Sequence, residues 1–156
     1  MAMRVGIETP LQNDVRMLID GLNTHLIPLS PVEFQFQMSV EEMAGKDTIV
    51  FVARDDAGKA VGLGALKKHG NDFGEVKRMY TMPEVRGKRV GSTLLAAIVE
   101  KANELKLKQL MLETGVGEGF AGAWRLYKNS GFVSRGAFLD YPDSGHSAFF
   151  ELNLAG

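Results

Sequence analysis

A short basic segment with two glycines, at residues 86–92, is the part of this sequence that is best suited to bind an anion. It stands between a strand-like and a helix-like stretch and reads Arg86, Gly87, Lys88, Arg89, Val90, Gly91 and Ser92. The start of a helix presents unpaired backbone N–H groups and the positive end of its dipole, and glycine allows close backbone approach. The segment therefore predicts a phosphate-binding site, with a solvated basic turn as the alternative. Its spacing matches neither a Walker loop nor the G-x-G-x-x-G fingerprint.

Composition narrows the class of protein to which this segment belongs. The chain has 156 residues, a net charge of −1 and no cysteine, which predicts one domain over residues 1–156 without disulfides, thiolate metal sites or cysteine nucleophiles. The 45% hydrophobic fraction excludes disorder, and the balanced charge argues against a general nucleic-acid binder. The longest apolar run, residues 94–99, is too short to span a membrane, and no signal-peptide core is visible. We therefore expect a cytoplasmic protein without a membrane partner.

Periodic patterns predict the elements that must position the segment. Thr9, Pro10 and Gln12 have the form of a helix start, and Ser39 with Glu42 forms a second capping box. The order of elements is β-α-α-β-β-β-α-β-α-β-β, which predicts an α/β fold with a mixed sheet and helices on its faces. The strands are expected at residues 4–8, 49–53, 61–65, 73–82, 110–112, 132–138 and 148–154.

Several segments between about residues 47 and 154 resemble the GCN5-related N-acetyltransferases, in that family's order and spacing. Arg86 matches the first position of the family's pyrophosphate loop, Arg/Gln-x-x-Gly-x-Gly/Ala, and Gly91 matches its last, whereas Arg89 replaces the middle glycine. The other matching segments are residues 75–80, which are similar to strand four of a small bacterial branch, residues 112–115 (strand five), residues 126–132 (the "LY…GF" segment), and residues 140–142 with Phe149 and Glu151 (the C-terminal hairpin).

The resemblance implies a fold and a cofactor site. The fold is the family's mixed, mostly antiparallel sheet of about seven strands, with helices on both faces. Main-chain N–H groups of residues 86–92 would bind the pyrophosphate of acetyl-CoA. The backbone of Met79, Tyr80 and Thr81 would pair with the pantetheine arm and polarise the acetyl carbonyl, where strands four and five splay apart.

Amine acetylation also needs groups that move protons. An alkylammonium, with a pKa near 10.4, must lose a proton to attack a thioester, so a general base is required. Glu75 is our candidate, since two-residue periodicity places it on one face with Met79 unless a bulge intervenes, although it could equally be a surface carboxylate. Glu113 is a second, less favoured candidate with the same two interpretations. Tyr127 matches the position of the family's tyrosine, which the resemblance implies protonates the leaving sulfur or forms a hydrogen bond to it. Its helical spacing with Phe120, Ala123 and Trp124 also fits a core residue.

The sequence says less about which residues bind the acceptor. His25, Phe34 and Phe36 fall where the family places its variable acceptor-binding segment, although the phenylalanines could also cap the core. Relatives commonly have Asn or Gln seven residues before the tyrosine, and Phe120 stands there instead, so that contact to the cofactor should be missing or replaced. The histidines lack ligand spacing, so we expect no metal.

These observations favour an acetyl-CoA-dependent N-acetyltransferase that acts on a small-molecule amine by direct transfer in a ternary complex, since there is no evident nucleophile. A non-catalytic acyl-CoA-binding or sensing domain is the alternative. An RNA-binding module would need interleaved exposed aromatic residues, which the basic segment lacks. We expect no nucleic-acid partner, and the sequence leaves open whether the protein is a homodimer.

Overall fold

A seven-stranded sheet forms the centre of the computed structural model, which describes residues 3–31, 33 and 38–154. The elements follow the predicted order. The strands are β1 (Met3–Ile7), β2 (Thr48–Asp55), β3 (Ala60–His69), β4 (Phe73–Thr81), β5 (Gln109–Gly115), β6 (Val133–Arg135) and β7 (Ser147–Asn153). The helices are α1 (Asn13–Leu26), α2 (Val40–Met43), α3 (Val90–Glu104) and α4 (Ala121–Asn129).

The sheet has the strand order β1-β2-β3-β4-β5-β7-β6. Every neighbouring pair is antiparallel except β4 and β5, which are parallel because α3 connects them across the sheet. The prediction of a mixed, mostly antiparallel sheet is therefore confirmed. β6 is shorter than the expected span of residues 132–138.

Two apolar clusters lie on opposite faces of the sheet, as the prediction of helices on both faces requires. On one face, Val15 and Ile19 of α1 and Met43 of α2 pack on Val52 and Leu63. The cluster on the other face joins α3 and α4 to the sheet through residues that include Phe51, Leu66, Val76, Leu94, Ile98, Leu110, Tyr127 and Phe150. No helix in the described part of the chain is long and apolar enough to cross a membrane.

The two predicted capping boxes had different outcomes. At α2 the box is present, since the Ser39 side chain accepts from the Glu42 N–H (3.1 Å) and Glu42 accepts from the Ser39 N–H (3.0 Å). The predicted start at Thr9 is wrong, because α1 begins at Asn13. Thr9 instead accepts from the Leu11 N–H (3.1 Å), a local side-chain turn that competes with the helix.

β4 is irregular at the point where the sheet opens. Its parallel pairing with β5 ends at Glu75, opposite Met111, although both strands continue. Further along, the antiparallel register with β3 shifts where Arg78 has a left-handed φ of +57°, which is a β-bulge. The divergence leaves a cleft between β4 and β5, and the bulge changes which side chains face it.

Candidate active site

The cleft between β4 and β5 has a volume of about 760 Å³, within the range of small-molecule pockets. Its walls come from β4, β5, the last turn of α1, the start of α3 and α4. Lys88 is exposed and does not contribute to the lining, and Phe34 and Phe36 lie outside the described residues. The other candidate residues from the sequence line this one cleft: His25, Glu75, Met79, Tyr80, Thr81, Arg86, Gly87, Arg89, Val90, Gly91, Ser92 and Tyr127.

The basic segment at residues 86–92 forms the entry into α3. The helix begins at Val90, so the N–H groups of Val90, Gly91 and Ser92 have no acceptor within the helix. A Cβ at Gly91 would lie 3.3 Å from a methyl group of Leu126, so glycine lets α3 and α4 approach closely here. The wall of the cleft at this point is therefore backbone, with its donors available to an anion.

Arg89 occupies the position of the missing glycine with a glycine-like backbone. Its φ is +66°, and the neighbouring Gly87 has a φ of +83°. A left-handed conformation costs a non-glycine residue roughly 1–2 kcal/mol. The turn geometry is thus kept although the glycine is not. Arg86 lies against the Tyr80 ring and donates to the Thr81 carbonyl (3.3 Å).

The bulge overturns the expectation that Glu75 and Met79 share a face. Met79 packs with the α3 cluster, and its sulfur lies 2.5 Å from where a Cβ at Gly64 would be. Tyr80 packs with the α1 cluster and lies against Gly21. Glu75 neighbours Val76, which belongs to the α3 cluster, and therefore points toward the α1 side. The extra residue at the bulge reverses which side chains of β4 face each side of the sheet beyond Lys77. No residue propensity in the sequence predicted this bulge.

Glu75 is not a surface carboxylate, since only 2% of the residue is exposed. Its Oε1 is 2.9 Å from His69 Nε2, and its Oε2 accepts from the Lys77 ammonium (3.3 Å) and from the Tyr141 hydroxyl. Lys77 in turn donates to the Tyr141 oxygen (2.8 Å). The carboxylate is thus held by a network from β3, β4 and the segment before β7, and burial together with Glu75 raises the pKa of Tyr141.

Glu113, on β5, is the second carboxylate of the cleft and has a different environment. Its Oε2 accepts from the Ser147 hydroxyl (2.7 Å). Burial raises the pKa of Glu113, only partly opposed by the Ser147 hydrogen bond and the nearby Lys77 charge, and the Glu75 charge raises it further. The raised pKa makes Glu113 a candidate to exchange a proton nearer neutral pH than an ordinary carboxyl group does.

Tyr127 lies in the core and also lines the cleft. Its ring belongs to the α3 and α4 core, with centroids 5.8 Å from Phe132 and 6.3 Å from Phe150, and the residue also lines the cleft. Burial raises the pKa of Tyr127, and the Glu113 charge adds to the effect. The phenol is therefore protonated across the working pH range and can donate its proton.

Phe120, the departure from the family pattern, lies over the end of β5. A Cβ at Gly115 would come within 2.3 Å of its ring, and the Gly115 carbonyl accepts from the Trp124 indole (2.9 Å). An aromatic ring thus lines the cleft at the position where the family resemblance implied Asn or Gln.

Arg78 lines the cleft and was not among the site residues predicted from the sequence. Only 8% of it is exposed, its Nη2 donates to the Asn23 side-chain oxygen, and its Nε has no hydrogen-bond partner in the described structure. Burial lowers the pKa of Arg78 to about 10, so it stays charged at neutral pH. The sequence did contain a signal for Arg78. In a regular strand, Arg78 would lie on the same buried face as Val76, where an apolar residue is expected rather than a cation.

Comparison with known proteins identifies this architecture. The model of the Acetyltransferase (GNAT) family matches residues 19–132. An IAA acetyltransferase of Azospirillum brasilense is 38% identical over 151 residues, which cover 96% of this chain and 97% of the relative. A crystal structure from Klebsiella pneumoniae, assigned as an acyl-CoA N-acyltransferase, superposes with a TM-score of 0.80 at 30% identity and 97% coverage of both chains. A Bacillus anthracis structure, assigned as a streptothricin acetyltransferase in complex with acetyl coenzyme A, gives a TM-score of 0.63 at 25% identity, covering 76% of this chain and 69% of that one.

Proposed function

The chain belongs to the GNAT family of acetyltransferases, and from this premise we propose that it transfers an acetyl group from acetyl-CoA directly to the amine of a small molecule. One observation carries the proposal: the anion-binding start of α3, the splayed strands and Tyr127 line a single cleft. The acetyl-CoA complex of the B. anthracis protein supports the same donor here. The absence of cysteine supports transfer in a ternary complex over an acyl-thiol intermediate.

The residues present fit the donor. The free N–H groups at the start of α3 and the positive end of the helix suit a pyrophosphate, and Arg86 and Arg89 add charge at the same place. Beyond Glu75, β4 has no parallel partner, so the backbone of Met79, Tyr80 and Thr81 can pair with the pantetheine amides. Acetyl-CoA supplies the thioester when bound. A backbone N–H at this edge would stabilise the oxyanion that forms on the acetyl carbonyl.

We assign the proton transfers to two cleft residues. Glu75, directly or through a water molecule, accepts the proton that the acceptor ammonium loses, and the amine nitrogen then forms its bond to the acetyl carbon. Tyr127 donates its hydroxyl proton to the sulfur as the carbon–sulfur bond breaks, and the proton that the nitrogen loses as the amide forms restores the Tyr127 hydroxyl. Glu113 is the second candidate base, and its raised pKa is the observation that favours it.

The proposal includes one acetyltransferase domain over residues 1–156. His25, on the last turn of α1 and in the cleft lining, is assigned to the acceptor side, with Phe34 and Phe36 nearby in the chain. An acetyl-CoA-dependent activity and a chain without cysteine both accord with the reducing cytoplasm, which is the location we propose.

A thermal-shift titration with acetyl-CoA tests the donor site without knowledge of the acceptor. At ~100 times its Kd, acetyl-CoA should stabilise the protein by ~2.7 kcal/mol, or roughly 5–10 °C in Tm for a chain of this size. The Arg86→Ala, Arg89→Ala double variant should weaken binding, because it removes two charges at the loop. The Arg4→Ala, Arg16→Ala variant is the control, since it removes two exposed arginines outside the cleft.

An amine panel with thiol detection then tests transfer itself. We expect CoA thiol to be released only when acetyl-CoA and an acceptor are both present. No saturable shift at millimolar acetyl-CoA would overturn the proposed donor site. A saturable shift without thiol release from any amine would overturn the proposed transfer.

A further inference from the structure

Arg78 is a buried cation whose charge the protein leaves uncompensated. Within the described residues, the one side-chain hydrogen bond of Arg78 goes to a neutral amide, Asn23, and its Nε has no partner. No carboxylate of residues 3–31, 33 or 38–154 forms an ion pair with it. The remaining positions include no aspartate or glutamate. Glu75, by contrast, lies within ion-pair distance of Lys77 and His69.

A buried, unpaired charge is costly, and proteins retain one where a ligand provides its partner. Arg78 lines the cleft, so a ligand there can reach it. The planar guanidinium binds a carboxylate through two parallel hydrogen bonds, for which its two Nη groups are suitable donors. The ligand that this residue fits is therefore a carboxylate.

The position of Arg78 assigns that carboxylate to the acceptor rather than to the donor. Its side chain reaches Asn23 of α1, near His25, and α1 packs on the sheet face opposite α3. The phosphates of the donor have their own cations, Arg86 and Arg89, at the start of α3.

We propose that the acceptor is an amine that also carries a carboxylate, an amino acid in the broad sense, and that Arg78 binds this carboxylate. This deepens the proposed function and rests on it. The acidic residues of the same cleft, Glu75 and Glu113, suit the other end of such a molecule, because they attract the ammonium that must be deprotonated. The chain thus distinguishes the two ends of the acceptor by charge.

The test compares carboxylates with their amides. Wild-type protein with saturating acetyl-CoA is assayed by thiol release on α-, β- and γ-amino acids, dipeptides and aminobenzoates, each paired with its neutral carboxamide. We expect kcat/KM to be at least roughly 10-fold higher for the carboxylate of the accepted pair. The amide has the more acidic ammonium, which favours the amide chemically, so this preference must come from binding.

Variants of Arg78 assign the preference to that residue. Arg78→Met should raise KM for the carboxylate by roughly 10- to 100-fold and remove most of the preference for the carboxylate over its amide. Arg78→Lys should recover part of the loss, because it keeps the charge but not the planar fork. Arg16→Met is the matched control, since Arg16 is an exposed arginine of α1 outside the cleft.

The same panel, read as Tm shifts of CoA-saturated protein, separates the possible failures. Carboxylates that stabilise the wild type but not Arg78→Met support the assignment even where nothing turns over. Equal response to carboxylates and amides in the wild type overturns the assignment, whether or not Arg78→Met folds. Thiol release from neutral amines alone overturns it too, yet leaves the acetyltransferase activity intact.

Discussion

Two partly or wholly buried arginines, Arg54 and Arg78, stand in opposite surroundings. Arg54, at the edge formed by β1, β2 and α1, pairs with Glu8 and Asp14 at 2.7 Å each, and these partners raise its pKa. Arg78, in the cleft, has a single amide partner and a pKa lowered by burial. The charge of Arg54 is balanced by carboxylates of the protein itself. The charge of Arg78, in our proposal, is balanced by the carboxylate of a bound acceptor.

The carboxylates of the two regions differ in the same way. Hydrogen bonds from Arg54 lower the pKa of both Glu8 and Asp14, whereas burial raises the pKa of Glu113 in the cleft. Groups at functional sites are often held at such an electrostatic disadvantage, because reactivity and ligand binding relieve it. The comparison therefore predicts that changes in the cleft alter turnover, and that changes at the Arg54 cluster alter stability.

The largest expected effect is on turnover from Tyr127→Phe. In the proposed mechanism this change removes the proton donor to the leaving sulfur, so kcat should fall by roughly 100-fold or more. Acetyl-CoA binding and Tm should change little, because the ring and its packing remain. Steady-state thiol release and a thermal melt measure both. A variant with normal kcat would remove Tyr127 from the mechanism.

Replacing each of the two cleft carboxylates in turn by Gln shows which of them is the base. If Glu75 is the base, Glu75→Gln should lower kcat by roughly 100-fold, and Glu113→Gln by less than about 10-fold. Because Glu75→Gln also leaves Lys77 without its carboxylate, the informative readout is the pH–rate profile, whose acidic limb should vanish only in the variant that lacks the base. Glu118→Gln, an exposed residue outside the cleft lining, is the control. The reverse pattern would identify Glu113 as the base.

The Arg54 cluster should show the converse behaviour. Arg54→Met leaves Glu8 and Asp14 without their shared cation and should lower the free energy of unfolding by about 1–2 kcal/mol, since both carboxylates are partly exposed. kcat and the KM for acetyl-CoA should stay within twofold of the wild type. Denaturant unfolding and steady-state kinetics test the pair of statements together. A large loss of kcat in a folded variant would contradict the division between the two regions.

The smallest effect is a pair of opposite pH dependences of stability. The folded-state pKa of Glu113 lies above its ordinary 4.5, so the ionised side chain destabilises the fold as pH rises through that pKa. The stability of Glu113→Gln relative to the wild type should therefore increase as pH rises. The folded-state pKa of Asp14 lies below 3.8, so its contribution is present above that pH and lost as pH falls. The loss of stability caused by Asp14→Asn, relative to the wild type, should therefore become smaller at acidic pH. Unfolding curves at several pH values would show whether the two differences run in opposite directions, and parallel slopes would refute this assignment of charges.

Local patterns in the chain were sufficient to predict the order of elements. The family resemblance was sufficient to predict the sheet with helices on both faces. They also singled out residues 86–92, which enter α3 beside the cleft, because a helix start, glycines and cations are properties of neighbouring residues. Local competition defeated one detail, the start of α1, where the Thr9 side chain forms a turn instead of a cap.

Only the tertiary structure decided which charges meet. The bulge at Arg78 reverses the alternation of β4, brings Tyr80 rather than Met79 to the α1 side, and leaves a buried guanidinium without a carboxylate. The partners of Glu75 come from β3, from β4 and from Tyr141, 66 residues away in the chain. A two-residue period describes an isolated regular strand, whereas register shifts and distant partners arise from packing of the whole sheet, and the sequence pattern of one strand does not contain them.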